Sequence, residues 1–471
     1  MTKQNWYRFN YILIVICALC LRLIYLSKFS LWMDEGFSYY FSGFPLKTLL
    51  YILAREDNHP PLYYYLLHLW RFLGESELIL RLPSVIFGAL TVGLAIMVGN
   101  LYFSRKVGLL SGVLIATSAF MNLFCREARN YSLAAFLFLL TFYWLKQALD
   151  KPGFKFWILY SFTLLLCIYT HYLSFFLILA QGIYLWFYFR NSRSKWTVAT
   201  GAAIMLALPW LVYYALHWQH YYYEHLPPSY TSLLEVAYSQ LYGLTLYLDW
   251  HWQWQLLAYC ALWLFLWGSW KSRESSIGMI PFTFIFCVLS IFLISHYTAN
   301  QIWEIKYFYL FAPLFWLTVA NGLTQINLKV LRTVLIISIL SINLFSIYNF
   351  LFIPEWERQN WQEAVKWLKR RQTNQSLIIL EPPYIKYVFS YYYANSNSHI
   401  LPLDQNGVEQ FSLPVIKPYR KIFLVGSAPW LSDPQGKLQN LLNNHYIKSE
   451  EYHTINLNPG FIIDIYTYEK P

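Results

Sequence analysis

Two adjacent carboxylates, Asp34 and Glu35, follow the first apolar run of the chain and are the first residues that could do chemistry. Ionisable groups at the edge of a membrane are costly to keep there and usually serve a function. A carboxylate in that position suits a general base, which removes a proton from an attacking hydroxyl. The alternative interpretation is a solvated helix end that only marks the membrane boundary.

A second polar segment holds Asp57 and His59 directly before Pro60 and Pro61. Because the prolines fix the direction of the chain, we expect His59 to be held rigidly beside Asp57. An imidazole in such a place could bind a phosphate or pair with a carboxylate. An ordinary helix start would give the same pattern, since proline is favoured in the first helical turn.

Arginines recur further along, in the segment REARNY at residues 126–131. In a helix, Arg126 and Arg129 would share a face, and a guanidinium fork binds a phosphate through two hydrogen bonds. The alternative is that these long side chains reach the lipid headgroups and anchor the helix.

Three further ionisable residues lie beside or inside apolar runs. His171 stands in a short turn between two such runs, where a histidine is more often structural. Lys306 precedes a late apolar run and could neutralise a phosphate leaving group or only anchor its helix. Arg22 lies within the first apolar run, where a buried guanidinium needs partners, so we predict a structural role that braces the helix before Asp34.

The composition indicates the elements that must position these residues. Of the 471 residues, 57% are hydrophobic and 13% are charged, against about 25% charged in a typical soluble protein. The net charge of +11 comes from Lys and Arg in short loops between apolar runs, so we assign it to membrane lipid and topology and exclude nucleic acid as a partner. The six cysteines have no zinc-binding spacing and are expected to be apolar core residues.

We predict about 11 transmembrane helices, near residues 10–29, 83–102, 108–124, 131–149, 155–170, 172–190, 197–217, 255–270, 277–295, 306–324 and 331–351. The apolar stretch 62–73 is short for a span and is predicted to be an interfacial helix. With the N-terminus inside, the basic loops are all cytoplasmic, as the positive-inside rule requires. Residues 30–60 then form the first outer loop, and the Tyr- and Trp-rich loop 221–250 also lies outside.

The composition changes near residue 354, which divides the chain into a transmembrane catalytic domain at 1–353 and an extracytoplasmic domain at 354–471. Residues 361–371 and 438–443 read as helices, and 377–380, 421–425 and 461–466 read as strands. The predicted fold is therefore an α-helical polytopic membrane protein with a small C-terminal α/β domain. The chain contains no P-loop, GxGxxG, GxSxG or HExxH motif, which argues against nucleotide, serine hydrolase and zinc hydrolase chemistry.

The order of the motifs resembles that of a known family. A DE pair after the first span, then HPPLYY, RLPS and REARxY, is similar to the GT-C glycosyltransferases. More narrowly, it resembles the bacterial relatives of the protein O-mannosyltransferases and of the lipid A aminoarabinose transferases. The segment WQEAV at 361–365 resembles the helix that opens the outer domain in many members.

The resemblance implies a plasma (inner) membrane glycosyltransferase that uses a polyprenyl-phosphate-linked sugar outside the cytoplasm and inverts the anomeric centre. The acceptor would be a lipid, a polysaccharide or a protein. Asp34 would be the general base, and Glu35 would assist in acceptor or metal binding. No cofactor is required with certainty, and a divalent cation would use Asp34, Glu35 or His59. The expected substrate-binding residues are Asp57, His59, Arg126, Glu127, Arg129, Tyr131, His171 and Lys306.

Two other classes stay open at this point. A lipid-linked glycan ligase or polymerase also uses outer Arg and His residues, but would not depend on the Asp34 carboxylate. A non-catalytic lipid-sugar transporter would more often show internal repeats and polar residues at mid-membrane. Here the ionisable groups gather at one predicted face, which favours the transferase. The loop 221–250 and the outer domain are expected to shape the acceptor site.

Overall fold

The computed structural model describes residues 3–218, 227–245, 252–272, 276–298, 302–356, 358–393, 399–456 and 462–471. Helices make up most of it. They are α1 (Lys3–Leu23), α2 (Met33–Ser42), α3 (Leu46–Glu56), α4 (Leu62–Trp70), α5 (Glu77–Tyr102), α6 (Arg105–Thr117), α7 (Ala119–Phe124), α8 (Tyr131–Asp150), α9 (Lys155–Ile168), α10 (Ser174–Tyr188), α11 (Arg193–His217), α12 (Ser232–Tyr242), α13 (Trp252–Lys271), α14 (Met279–Tyr297), α15 (Ala312–Thr324), α16 (Lys329–Phe352), α17 (Trp361–Lys369), α18 (Lys386–Tyr392), α19 (Gln405–Gln410), α20 (Leu413–Ile416) and α21 (Lys437–His445). The strands are β1 (Ser376–Glu381), β2 (His399–Pro402), β3 (Lys421–Gly426), β4 (Ile447–His453) and β5 (Asp464–Glu469).

Within the described residues, six helices are long and apolar enough to cross a membrane by length and composition. They are Gln4–Leu23, Glu77–Tyr102, Tyr131–Asp150, Arg190–His217, Met279–Tyr297 and Lys329–Phe352. The shorter helices α9 and α10 are apolar as well. The prediction of a multi-pass membrane protein is therefore confirmed, while the number of about 11 spans and their direction stay predictions. A helix does form over the predicted interfacial stretch, as α4 and a 3-10 turn at Arg71–Leu73.

The chain divides into two compact units that are not continuous in sequence. The helical unit comprises Met1–Ile24, Pro45–Trp70 and Arg81–Tyr348, and the mixed unit comprises Tyr25–Phe44, Arg71–Leu80 and Asn349–Pro471. The predicted domain bounds, 1–353 and 354–471, stay a prediction.

In the helical unit, Arg22 closes the C-terminal end of α6. Its guanidinium donates to the carbonyls of Ile115 at 3.2 Å and Ala116 at 3.4 Å, and to that of Ala18 in its own helix at 3.0 Å. The last carbonyls of a helix lack intrahelical partners, and an arginine is one of the side chains that supply them. The expected structural role of Arg22 is thus confirmed, and its partners are backbone oxygens.

The mixed unit contains one five-stranded sheet in the order β2-β1-β3-β5-β4. β1 is parallel to both β2 and β3, whereas β5 is antiparallel to both β3 and β4. Its core includes buried side chains of β1, β3 and α21, such as Ile379, Leu424 and Leu442. The predicted C-terminal α/β architecture is confirmed. The strands β2 and β4 were absent from the prediction because both are edge strands with largely exposed side chains.

The segment 30–60 is not a simple loop, and this prediction is wrong. It contains α2 and α3, and α3 buries Leu49, Leu53 and Ala54 at helical spacing. Since α1 already ends at Leu23, the acidic pair does not stand at the end of the first span, but in the first turn of a separate helix. Of the loop 221–250, residues 227–245 are described and include α12, while the rest lies outside the described residues.

Candidate functional site

The segment between α3 and α4 holds Asp57 and His59 in a fixed arrangement. One carboxylate oxygen of Asp57 accepts from the His59 backbone N–H at 2.9 Å and lies 2.8 Å from His59 Nδ1. The other oxygen accepts from the Tyr64 hydroxyl. After the two prolines, the Leu62 N–H donates to the carbonyl of Tyr169 at 2.9 Å. The predicted rigid pairing of His59 with Asp57 is therefore present in the structure.

These contacts decide which nitrogen of His59 carries the proton. A carboxylate can only accept, so Nδ1–H donates to Asp57. In the neutral ring, Nε2 then keeps its lone pair and is an acceptor. His59 is 4% exposed, and its Nε2 atom has no hydrogen-bond partner within the described part of the chain.

His171 has the opposite arrangement. Its Nδ1 accepts from the Leu173 backbone N–H at 3.2 Å, so the neutral ring carries its proton on Nε2. This Nε2 atom is also buried and has no hydrogen-bond partner among the described residues. The rings of His59 and His171 lie 5.3 Å apart, centroid to centroid. The two neighbouring rings thus offer one acceptor and one donor to a bound group.

Two basic side chains belong to the same cluster. Arg129 donates to the Tyr64 hydroxyl at 3.2 Å, and its other terminal nitrogen lies 3.2 Å from His59 Nδ1. The Lys306 ammonium lies 6.0 Å from the centroid of the neighbouring Tyr307 ring, which is 5.1 Å from that of His171.

The electrostatics of this cluster favour an anion. Burial lowers the pKa of His59, and the charge of Arg129 lowers it further against the attraction of Asp57. Burial lowers the pKa of His171 strongly, with His59, Arg129 and Lys306 adding to the effect. Burial alone would raise the pKa of Asp57, but His59 and Arg129 outweigh it, so the net shift is downward. With neutral imidazoles and one carboxylate, the two basic side chains leave an excess of positive charge.

The segment 125–130 differs from the prediction, because α7 ends at Phe124 and the chain turns before α8 begins at Tyr131. Arg126 and Arg129 therefore do not share a helical face. Arg126 instead donates to the carbonyl of Arg22 at 3.2 Å, and burial lowers its pKa to about 10. Glu127 is buried, and the Tyr131 ring lies 6.5 Å from that of His59. Substrate binding by these residues stays a prediction.

The acidic pair belongs to the mixed unit. Asp34 and Glu35 are both buried in the first turn of α2, at 7% and 1% exposure. Glu35 Oε2 accepts from the backbone N–H of Trp32 at 3.2 Å, which satisfies a donor at the helix start. The Arg358 guanidinium stacks over the Trp32 ring at 4.0 Å. One oxygen of Glu35 thus serves to cap the helix, which makes Asp34 the better candidate for a base.

A divalent cation has no obvious ligand set in this part of the chain. Among the described residues, no group of three or more His, Cys, Asp or Glu side chains is arranged to hold a metal ion. The residues that are described therefore do not fit the metal that the resemblance left open, and no step of the chemistry below uses one.

Comparison with known proteins agrees with this architecture. The model of the dolichyl-phosphate-mannose-protein mannosyltransferase family matches residues 58–213. ArnT from Cupriavidus metallidurans, bound to undecaprenyl phosphate, is similar with a TM-score of 0.59 at 12% identity, over 99% of this chain and 98% of that chain. AglB from Archaeoglobus fulgidus, an oligosaccharyltransferase in complex with an inhibitory peptide and a dolichol-phosphate, is similar with a TM-score of 0.55 at 10% identity, over 100% of this chain and 74% of that chain. The chain has the GT-C glycosyltransferase fold. No curated protein sequence matches it.

The GT-C fold confirms the resemblance that the motifs predicted, and the predicted enzyme class agrees with the mannosyltransferase family model. Sequence reasoning missed three residues of the described geometry. Tyr64 and Tyr307 stand next to predicted residues, so the motifs could have pointed to them. Gln359 carried no signal, because a single glutamine before a helix is common.

Proposed function

We propose that this protein is a membrane glycosyltransferase that moves a sugar from a polyprenyl-phosphate-linked donor to an acceptor hydroxyl. The observation that carries the proposal is the buried cluster of His59, His171, Arg129 and Lys306, which has excess positive charge and open imidazole nitrogens. A phosphate needs such charge and such hydrogen bonds. The GT-C fold supports the donor class, since ArnT and AglB were solved with undecaprenyl phosphate and dolichol-phosphate.

The reaction takes place on the non-cytoplasmic face of the plasma (inner) membrane. The positive-inside rule supports this orientation. Basic residues such as Arg105, Lys106 and Arg193 fall in the loops predicted to be cytoplasmic, whereas the segment 221–250 contains no Lys or Arg. The mixed unit, which carries α2 and the sheet, is then extracytoplasmic.

Asp34 is the general base. Its carboxylate takes the proton from the acceptor hydroxyl while the oxygen attacks the anomeric carbon opposite the phosphate. The bond between the anomeric carbon and the phosphate oxygen breaks, and its electron pair stays on that oxygen. A single displacement of this kind inverts the anomeric configuration and needs no second, nucleophilic carboxylate.

The leaving phosphate gains negative charge as the bond breaks, and the helical unit supplies its counter-charges. Arg129 and Lys306 stabilise that charge, and His171 donates a hydrogen bond through Nε2–H. Asp57 keeps His59 in the tautomer with an open Nε2 acceptor, which can receive a hydroxyl proton of the sugar or of a protonated phosphate.

Replacing Asp34 by Asn tests the assignment of the base. The variant should bind polyprenyl phosphate as the wild type does, but its sugar transfer should fall by about 10²–10⁴-fold because the proton acceptor is gone. Unchanged transfer would contradict the role of Asp34 and favour the ligase or polymerase alternative. Movement of the intact lipid-linked sugar across the membrane, without transfer of label, would favour a transporter.

A further inference from the structure

Gln359 lies between α16 and α17 in the mixed unit and is 3% exposed. Its Oε1 atom accepts from the backbone N–H of Met33 at 3.0 Å and from the indole N–H of Trp361 at 3.1 Å. Its Nε2 atom donates to the Ser427 hydroxyl at 2.7 Å. Its backbone carbonyl accepts from the Ser30 hydroxyl at 2.6 Å. One buried side chain therefore joins α2, α17 and the segment after β3.

The orientation of the Gln359 amide follows from chemistry. A backbone N–H and an indole N–H can only donate, so the atom that contacts both must be the oxygen. The amide nitrogen then faces Ser427, whose hydroxyl can accept. A reversed amide would set donors against donors, so this arrangement is the one that satisfies all the groups.

These bonds fix the start of the helix that carries the acidic pair. The first backbone N–H groups of a helix have no intrahelical acceptor, and Met33 is the first residue of α2. The preceding residues are held too, because the Tyr392 hydroxyl lies 2.6 Å from the Leu31 N–H, and the Ser30 hydroxyl accepts from the Trp361 N–H at 3.1 Å. On the other side, Ser427 directly follows β3, at the carboxyl end of the parallel strands.

We propose that Gln359 is a positioning residue for the general base: its side chain fixes the first turn of α2, and with it the backbone of Asp34, to the carboxyl edge of the sheet. The catalytic part of this inference rests on the proposed function of Asp34. Gln359 itself touches none of the reacting atoms. Its loss should therefore lower the rate of the chemical step and leave binding of the lipid phosphate unchanged.

Three variants of the full chain separate this role from general destabilisation. Gln359→Met keeps the volume but removes the three side-chain hydrogen bonds. Gln359→Glu keeps an acceptor for Met33 and Trp361, and the Ser427 hydroxyl can donate to it. Tyr446→Phe is the control, because Tyr446 is a buried residue of the same unit whose hydroxyl bonds only carbonyls remote from α2 in sequence, those of Ile416 at 2.6 Å and Tyr419 at 3.1 Å.

The first measurement is hydrogen exchange of peptides that cover residues 31–37, in reconstituted protein. Gln359→Met should speed exchange there by about tenfold, the size expected for loss of a buried hydrogen bond. Gln359→Glu and Tyr446→Phe should leave exchange near the wild-type rate. Unchanged exchange in Gln359→Met, or an equal change in Tyr446→Phe, would overturn the anchoring of α2.

The second measurement is kcat and the donor KM, normalised to folded protein. We expect Gln359→Met to lower kcat by at least about tenfold with donor KM within about twofold, and Gln359→Glu to recover most of it. A normal kcat despite faster exchange would overturn the positioning role. A wild type that transfers no sugar would contradict the proposed function and the catalytic part of this inference with it, while the exchange result would still decide whether Gln359 anchors α2.

Discussion

The substitution Asp57→Asn changes the charge of the His59 cluster with almost no change in volume. The Asp57 carboxylate accepts from the His59 backbone, from His59 Nδ1–H and from the Tyr64 hydroxyl. An asparagine can keep its oxygen toward His59, but its NH2 group must then face the Tyr64 hydroxyl. The buried guanidinium of Arg129 would also lose the nearby carboxylate.

The expected cost follows from those losses. Hydrogen bonds to charged groups contribute about 1.5–3 kcal/mol each, so weakening two of them should lower the free energy of unfolding by about 3 kcal/mol. A cost of that size in the transition state is about a 10²-fold loss of transfer rate, since 1.36 kcal/mol corresponds to about tenfold. Binding of polyprenyl phosphate should be unchanged or tighter, because the substitution removes a negative charge from an anion site.

Thermal unfolding, lipid-phosphate binding and sugar transfer of the purified protein would measure these three effects. Asp150→Asn is the matched control, since Asp150 pairs with Lys146 at 3.0 Å on the surface and is half-exposed. Such a pair contributes less than about 1 kcal/mol, so the control should behave as the wild type. A transfer rate of Asp57→Asn that equals that of Asp150→Asn would refute the argument that Asp57 orients His59.

Three further predictions concern the framework. Gly36→Ala should destabilise the protein by about 1–3 kcal/mol, because a Cβ there would lie 2.6 Å from the backbone of α18, whereas Gly201→Ala in open space should be neutral or stabilising by up to about 1 kcal/mol in thermal unfolding. Burial, with a nearby aspartate, raises the pKa of Glu381 to about 7 from 4.5, so the unfolded chain releases this proton first and stability is lost as pH rises between those values. Glu381→Gln should thus be more stable than the wild type by on the order of 2 kcal/mol at pH 8 and no more stable below pH 4.5, as melting curves across pH would check. Arg22→Met should lower the melting temperature strongly, by about 3 kcal/mol of lost buried hydrogen bonds, yet keep lipid-phosphate affinity.

The sequence predicted the elements of this fold that have strong apolar periodicity. The predicted helix at 131–149 is α8, and the predicted strand at 421–425 is β3 within a residue. In the segment 30–60, the requirement for polar outer loops led to the wrong prediction. α2 has few apolar residues, and its helical face becomes visible only when Gly36 and the Phe37, Tyr40 and Phe41 rings meet α18.

The candidate site was predictable where residues are close in sequence and not where the fold unites distant ones. Asp57 and His59 are two residues apart and held by prolines, so their pairing could be expected. The meeting of His59 with His171 and Arg129 depends on packing between separate helices, which spacing alone does not encode. Gln359 was invisible for the same reason, because its partners on α2 lie more than 300 residues away.

The most direct test of the account is sugar transfer by the purified wild-type protein in proteoliposomes, with a panel of radiolabelled polyprenyl-phosphate sugars and hydroxyl acceptors. We predict that label from at least one donor moves to an acceptor hydroxyl with inverted anomeric configuration, and that polyprenyl phosphate is released in equal amount. A protein that binds polyprenyl phosphate but consumes none of the donors, or a product with retained configuration, would contradict the account.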